Sequence, residues 1–194
     1  VCRRGELMQE ASNAADSAMV AVVKLPPEKV EELASQFDQV YPVNYNSPAQ
    51  TVCAGLSSSM DGFKAAVKAA GGRALPLKVS GAFHSPFMSS AAKGLAEVLA
   101  PMEFGTPSCP LYSNVTAQPY EDGQFKDLLS RQVENPVRWQ TIVENMIAAG
   151  VDTFIEVGPG KTLAGLIGKI NSDVRALNVE DAESLKHTIE EVKA

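Results

Sequence analysis

Apolar residues in the first stretch recur at helical spacing. Leu7, Met8, Ala11 and Ala15 share one face, which predicts a helix over residues 1–15. The pattern then changes. Met19-Val-Ala-Val-Val23 is a short unbroken apolar run and reads as a strand. Pro26 to Phe37 reads as a helix with proline at its start. Val40–Tyr45 and Thr51–Ala54 pair as a hairpin around Asn46-Ser-Pro-Ala-Gln50. Ser59 is placed to cap a helix over Asp61–Ala70, which Gly71-Gly72 ends. A strand over Arg73–Ser80 follows. Residues 16–80 therefore run βαββαβ, a ferredoxin-like order.

Beyond residue 80, Phe87–Leu99 is small and apolar at helical spacing, with Pro86 in its first turn. Pro101, Pro107, Pro110 and Pro119 break up the connection that follows, where Cys109–Asn114 reads as a short strand running into a turn. Helices are predicted over Phe125–Gln132, Pro136–Gly150 and Thr162–Ile170, with a strand over Val151–Val157. From Arg175 to Ala194 a short apolar run precedes an acidic helix, with His187 on its polar face. The fold class is α/β.

Composition narrows the function. The chain has 194 residues, 45% hydrophobic and 21% charged, as expected of a packed domain. A net charge of −6 argues against nucleic acid, whose binders are usually basic. No apolar run approaches the roughly 20 residues that cross a bilayer. Three widely spaced cysteines, Cys2, Cys53 and Cys109, form no metal pattern and suggest a reducing, cytoplasmic setting.

The candidate chemistry lies at Gly81-Ala-Phe-His-Ser-Pro-Phe-Met88. His84 falls where a strand ends and a helix begins, the place where α/β proteins put reactive side chains. A neutral imidazole there can take and return a proton near pH 7. The alternative is a histidine that only hydrogen-bonds in the core. Gly160-Lys161-Thr162 invites a phosphate-loop reading, but Ile155 stands where that pattern needs glycine. Turn geometry is the alternative for that segment.

Gly81–Met88 resembles the histidine motif of malonyl-CoA:acyl-carrier-protein transacylases. Arg4-Gly-Glu-Leu-Met-Gln9, Asn44-Tyr-Asn-Ser-Pro-Ala-Gln50, Arg131-Gln-Val-Glu-Asn-Pro-Val-Arg-Trp139 and Glu156-Val-Gly-Pro-Gly-Lys161 are similar to the same family in the same order. The resemblance implies part of an α/β-hydrolase-like acyltransferase core, residues 1–15 and 81–194, with residues 16–80 as an inserted ferredoxin-like subdomain. It implies that His84 is the catalytic base and that the backbone carbonyl of Gln132 holds its second nitrogen. Arg4 would grip the free carboxylate of the malonyl group. Asn46 would face the cleft, together with Asn44 and Gln50. Phe83, before the histidine, would go with malonyl rather than a branched unit. The expected substrates are malonyl-CoA and a phosphopantetheinylated acyl carrier protein, with no metal or tightly bound cofactor, in a monomer.

That family's nucleophile is a serine in a Gly-x-Ser-x-Gly elbow, a pattern this sequence does not contain. Ser85 adjoins His84 but cannot face it well, and the cysteines match nothing in the family. The chain therefore reads as the later two-thirds of such an enzyme, preceded by about 110 residues, and inactive alone. A module of a polyketide or fatty-acid synthase and a non-catalytic binding fragment are the alternatives.

Overall fold

The computed structural model describes residues 1–79 and 81–193. The chain divides into two compact units, Val1–Ile142 and Val143–Ala194.

In the first unit, helix α1 (Cys2–Ser12) leads into strand β1 (Ser17–Val23), helix α2 (Pro27–Ala34), strands β2 (Val40–Ser47) and β3 (Gln50–Leu56), helix α3 (Ser57–Ala69) and strand β4 (Arg73–Pro76). The strands form one antiparallel sheet in the order β2-β3-β1-β4. Both faces of this sheet are covered, which explains why β1 reads as an apolar run instead of alternating. Val20, Val22 and Cys53 point to the face packed by Val30 and Leu33 of α2 and by Phe63 and Val67 of α3. Met19, Ala21, Val43, Val52 and Ala54 point to the other face, where they meet Ala82, Phe83 and Phe87.

A 3-10 turn (Pro86–Met88) runs into helix α4 (Ser89–Leu99), and α5 (Phe125–Arg131) comes later. Met8 and Ala11 of α1 pack with Met88, Ala91, Leu95 and Leu99 and with Val133. The contact is close: a Cβ on Gly94 would lie 2.7 Å from Leu7 Cδ2. Phe83 and Phe87 border both this helical core and the second face of the sheet, so the histidine loop is the seam between the two.

The second unit begins within α6 (Trp139–Ala148). It continues through β5 (Thr153–Val157), α7 (Thr162–Ile170), β6 (Arg175–Val179) and α8 (Ala182–Lys193). β5 and β6 pair in parallel, Thr153 opposite Arg175 through Val157 opposite Val179, with α7 as the crossover.

Several boundaries differ from the sequence reading, each for a backbone reason. The β2–β3 turn is Pro48-Ala49, because the strands persist through Ser47 and Gln50, so Asn46 lies in β2 itself, beyond the expected end at Tyr45. α3 starts at Ser57, whose hydroxyl bonds Asp16 Oδ1 at 2.7 Å; Ser59 is inside the helix and caps nothing. The last strand of the sheet stops at Pro76, and Ser80 lies outside the described residues. Cys109–Asn114 makes only a single bridge, Tyr112 with Pro119, since prolines lack the donor a ladder needs. The helix expected from Pro136 starts at Trp139. Val137 is extended because its N–H donates to Val43 O at 2.8 Å and its carbonyl accepts from Tyr45 N at 2.9 Å. The edge of β2 thus takes one residue of the later chain as a neighbour.

Gly81 is fixed by two conditions. Its φ is +147°, and a Cβ there would stand 2.2 Å from Ser12 Oγ and 2.7 Å from Ser12 Cβ. Gly81→Ala is expected to destabilise the chain by about 2–4 kcal/mol through strain and overpacking. Urea unfolding of the variant beside the parent checks this.

Candidate active site

His84 occupies the turn between Gly81 and the Pro86–Met88 helix, with φ +61°. A non-glycine residue in the left-handed region is held there by its surroundings. The hold is visible. His84 N–H donates to Val133 O at 3.0 Å, and ring Nδ1 lies 2.8 Å from Gln132 O. A carbonyl oxygen can only accept, so Nδ1 carries the proton and Nε2 is left as the basic nitrogen. Backbone and ring are therefore both anchored to the end of α5. Gln132 is the C-cap of that helix, where carbonyls have no intrahelical partner and are free for such use.

Ser85 is buried, and its hydroxyl is committed to Ala82 O and to Phe87 N. Its backbone is extended, as the residue before proline requires. It acts as a cap for the turn, which leaves it unsuited to attack anything.

Arg4 is half-buried in the first turn of α1, while its neighbour Arg3 is exposed and paired with Glu6. Among the described residues Arg4 joins no carboxylate, and its Nε is buried without a hydrogen-bond partner. Burial lowers its pKa from the ordinary guanidinium value, yet the group remains charged. Arg4 is close enough to His84 for its charge to act on the ring. The His84 pKa is lowered from 6.5, first by burial and then by Arg4, against the raising effect of the Gln132 and Asn135 main chains. The two groups that the sequence singled out on separate segments thus share one electrostatic environment.

The other candidates stand differently. Phe83 is half-buried and packs at the seam between the two cores. Asn46 is half-buried at an irregularity in β2, between Tyr45 and Ser47, and makes no hydrogen bond with His84 or Arg4. Asn114 escaped the sequence reading, which took it only as part of a short strand running into a turn. Its side-chain amide reaches Gln132 O at 3.4 Å and Pro136 O at 3.3 Å. A lone asparagine after serine in a proline-rich stretch carries no signal that would have marked it.

The glycine turn of the second unit fills its own donors. Gly160 N–H donates to Glu180 Oε2 and Ala164 N–H to Glu156 Oε2, both at 2.8 Å. These carboxylates occupy the place a phosphate would take. The hollow of about 480 Å³ bordered by Met102, Phe104, Asp122, Phe125 and Lys126 contains none of the predicted site residues. It opens beside the stacked rings of Phe104, Phe125 and Tyr120. No group of histidine, cysteine and acidic residues able to hold a metal occurs among the described residues.

Residues 1–194 match the family model for the acyl transferase domain, and the chain belongs to that family. Within it, the chain is similar to malonyl CoA-acyl carrier protein transacylases. It is 36% identical to that of Bacillus subtilis (strain 168) over 199 aligned positions, covering 100% of this chain and 63% of the relative. It is 40% identical over 192 positions to that of Escherichia coli (strain K12), covering 96% and 62%. The crystal structure of the transacylase from Clostridium perfringens superposes with a TM-score of 0.93 at 39% identity, over 98% of this chain and 62% of that one. A malonyl-transacylase solved in complex with its type II PKS acyl-carrier protein superposes at 0.92 with 39% identity, over 97% and 62%. The chain spans slightly less than two-thirds of the length of these relatives.

Two measurements check the site. The His84 ring should titrate with a midpoint below 6.5 by NMR, and Arg4→Met should raise that midpoint while burial keeps it depressed. Protonation is easier in the unfolded chain, so this group's contribution to stability is complete above pH 6.5 and is lost as pH falls through the folded midpoint. For the thiols, exposed Cys2 and Cys109 should react with a disulfide reagent in the native chain, and Cys53 only on unfolding. Burial raises the Cys53 pKa and shields the sulfur.

Proposed function

We propose that the whole protein carrying this chain transfers a malonyl group from malonyl-CoA to the pantetheine thiol of an acyl carrier protein, in fatty-acid synthesis. One observation carries the reading. A half-buried guanidinium that joins no carboxylate among the described residues acts on an imidazole whose pKa burial lowers and whose Nδ1 is tied to a main-chain carbonyl. An unpaired buried charge is costly unless something compensates it, so the place is suited to an incoming anion. A malonyl thioester supplies a carboxylate at one end and a reactive carbonyl at the other.

The mechanism is ping-pong. A serine from the remainder of the enzyme, in a Gly-x-Ser-x-Gly turn, gives its proton to His84 Nε2 as its oxygen attacks the thioester carbonyl. The tetrahedral adduct collapses, the carbon–sulfur bond breaks, and His84 returns the proton to the departing CoA thiolate. The carrier protein's pantetheine thiol then loses its proton to His84, attacks the malonyl ester, and the serine leaves with that proton. Gln132 O accepts from Nδ1–H throughout and stabilises the imidazolium in each half-reaction. Arg4 binds the malonyl carboxylate as a fork of donors. Phe83 limits room at the branched position, and Asn46 contacts the substrate.

The architecture in this reading is an α/β-hydrolase-like core, residues 1–15 and 81–194, carrying residues 16–80 as a ferredoxin-like insert. The β2-β3-β1-β4 order with two helices on one face supports the second part. The enzyme is a cytoplasmic monomer that needs no metal or bound cofactor. No helix among the described residues is long and apolar enough to cross a membrane. The 194-residue chain alone does not transfer malonyl.

The test joins the chain to the upstream segment of a relative and follows malonyl transfer. His84→Ala should reduce kcat by about a hundredfold or more, in line with loss of a general base. Arg4→Lys should narrow the preference for malonyl over acetyl by about ten- to a hundredfold, the value of a charge-assisted pair of roughly 1.5–3 kcal/mol. Near-normal turnover by the His84→Ala enzyme would rule the assignment out.

A further inference from the structure

The acceptor that orients His84 is a main-chain oxygen, and a main-chain oxygen stays in place only as well as its loop does. Gln132 follows the last helical residue of α5, and the chain then turns through Glu134, Asn135 and Pro136 before Val137 joins the sheet. Arg131 O receives Glu134 N, Asn135 N and the Asn135 side chain. The Gln132 and Pro136 carbonyls are left for partners outside the turn.

Asn114 meets both. Its Nδ2 carries two hydrogens, one for Gln132 O at 3.4 Å and one for Pro136 O at 3.3 Å. Its own main-chain oxygen accepts from Arg138 N at 3.3 Å. One residue therefore spans the loop at three points. The amide orientation is forced, because a reversed Asn114 would set its oxygen against two carbonyl oxygens. Gln132 O has two lone pairs; the ring of His84 takes one at 2.8 Å and Asn114 the other. We propose that Asn114 is a positioning residue for His84, its side-chain amide bridging the Gln132 and Pro136 carbonyls and so fixing the acceptor against which the ring is aligned.

The residue type follows from this geometry. Aspartate keeps the shape but offers no N–H and turns a charge toward two oxygens. Alanine leaves both carbonyls short of a donor. Serine has one hydrogen and a shorter reach. The distal support rests on the same segment, since Val137 is held by Val43 and Tyr45 of β2. Asn114 thus ties the segment to the Leu111–Tyr120 loop, which is closed by hydrogen bonds from Ser113 N to Gln118 O and from Tyr120 N to Leu111 O.

This inference rests on the reading of His84 as the base, and its test separates the two. The first measurement uses the 194-residue chain, with nitrogen chemical shifts of the His84 ring giving the tautomer. The parent should hold the proton on Nδ1. Asn114→Ala and Asn114→Asp should shift the ring toward a mixture of tautomers, while urea unfolding shows both variants folded. An unchanged ring in both folded variants overturns the proposal. Should a variant fail to fold, the parent still decides: scalar coupling across the hydrogen bonds from Asn114 Nδ2 to the Gln132 and Pro136 carbonyl carbons supports it, and its absence with free rotation of the amide overturns it. In the completed transferase, Asn114→Ala should lower kcat by about ten- to a hundredfold with KM little changed, as expected for a misaligned base. A change in KM alone would overturn it. A responsive tautomer beside normal turnover in His84→Ala would leave the positioning intact and remove only the catalytic reading.

Discussion

The pair of hydrogen bonds between His84 and the end of α5 is the constraint on which the site depends. Val133 O holds the His84 backbone in a left-handed conformation, and Gln132 O fixes the ring. Neither bond suffices alone. Without the first, a residue at φ +61° relaxes toward ordinary backbone; without the second, the imidazole loses the acceptor 2.8 Å from its Nδ1. Both acceptors are consecutive carbonyls at a helix end, where the α-helix leaves them unpaired as a matter of geometry. The site therefore takes its orientation from groups that any sequence would supply, once a helix stops at that point. What the sequence must specify is the stopping point and the support of the loop beyond it.

That division explains which parts were legible beforehand. The βαββαβ order followed from apolar periodicity and from the glycines and prolines between runs, and the helices over Phe125–Arg131 and Thr162–Ile170 followed from the same signals. The Gly81–Met88 motif and Arg4 were marked by resemblance, and the structure places them within electrostatic reach of each other. Val137 was misread because helix propensity and proline position pointed one way, while the unpaired edge of β2 pulled the other. Ser59 and the hairpin turn were misplaced because several serines, asparagines and a proline offer equivalent local chemistry. Asn114 was invisible for a different reason. Its partners are carbonyls, which leave no trace in side-chain identity.

The electrostatics favour the proposed chemistry in a simple way. Burial and Arg4 act together to keep His84 neutral near pH 7, the form that accepts a proton. Among the described residues Arg4 joins no carboxylate, whereas its neighbour Arg3 is paired with Glu6. In the proposed reading, an anionic substrate neutralises the Arg4 charge. The second unit shows the opposite solution: Glu156 and Glu180 already occupy the donors of the glycine turn, so no negative ligand is invited there.

The borders of the four-stranded sheet have a further consequence. On one side Val137 caps the middle of β2; on the other, β4 is four residues long and closes on Pro76. Neither margin presents a foreign strand with a continuous row of free donors and acceptors. The small sheet is thereby protected from intermolecular strand addition, a hazard in concentrated solution for any mobile β layer. Val137, which ties the segment after α5 to the sheet, is also what covers that margin.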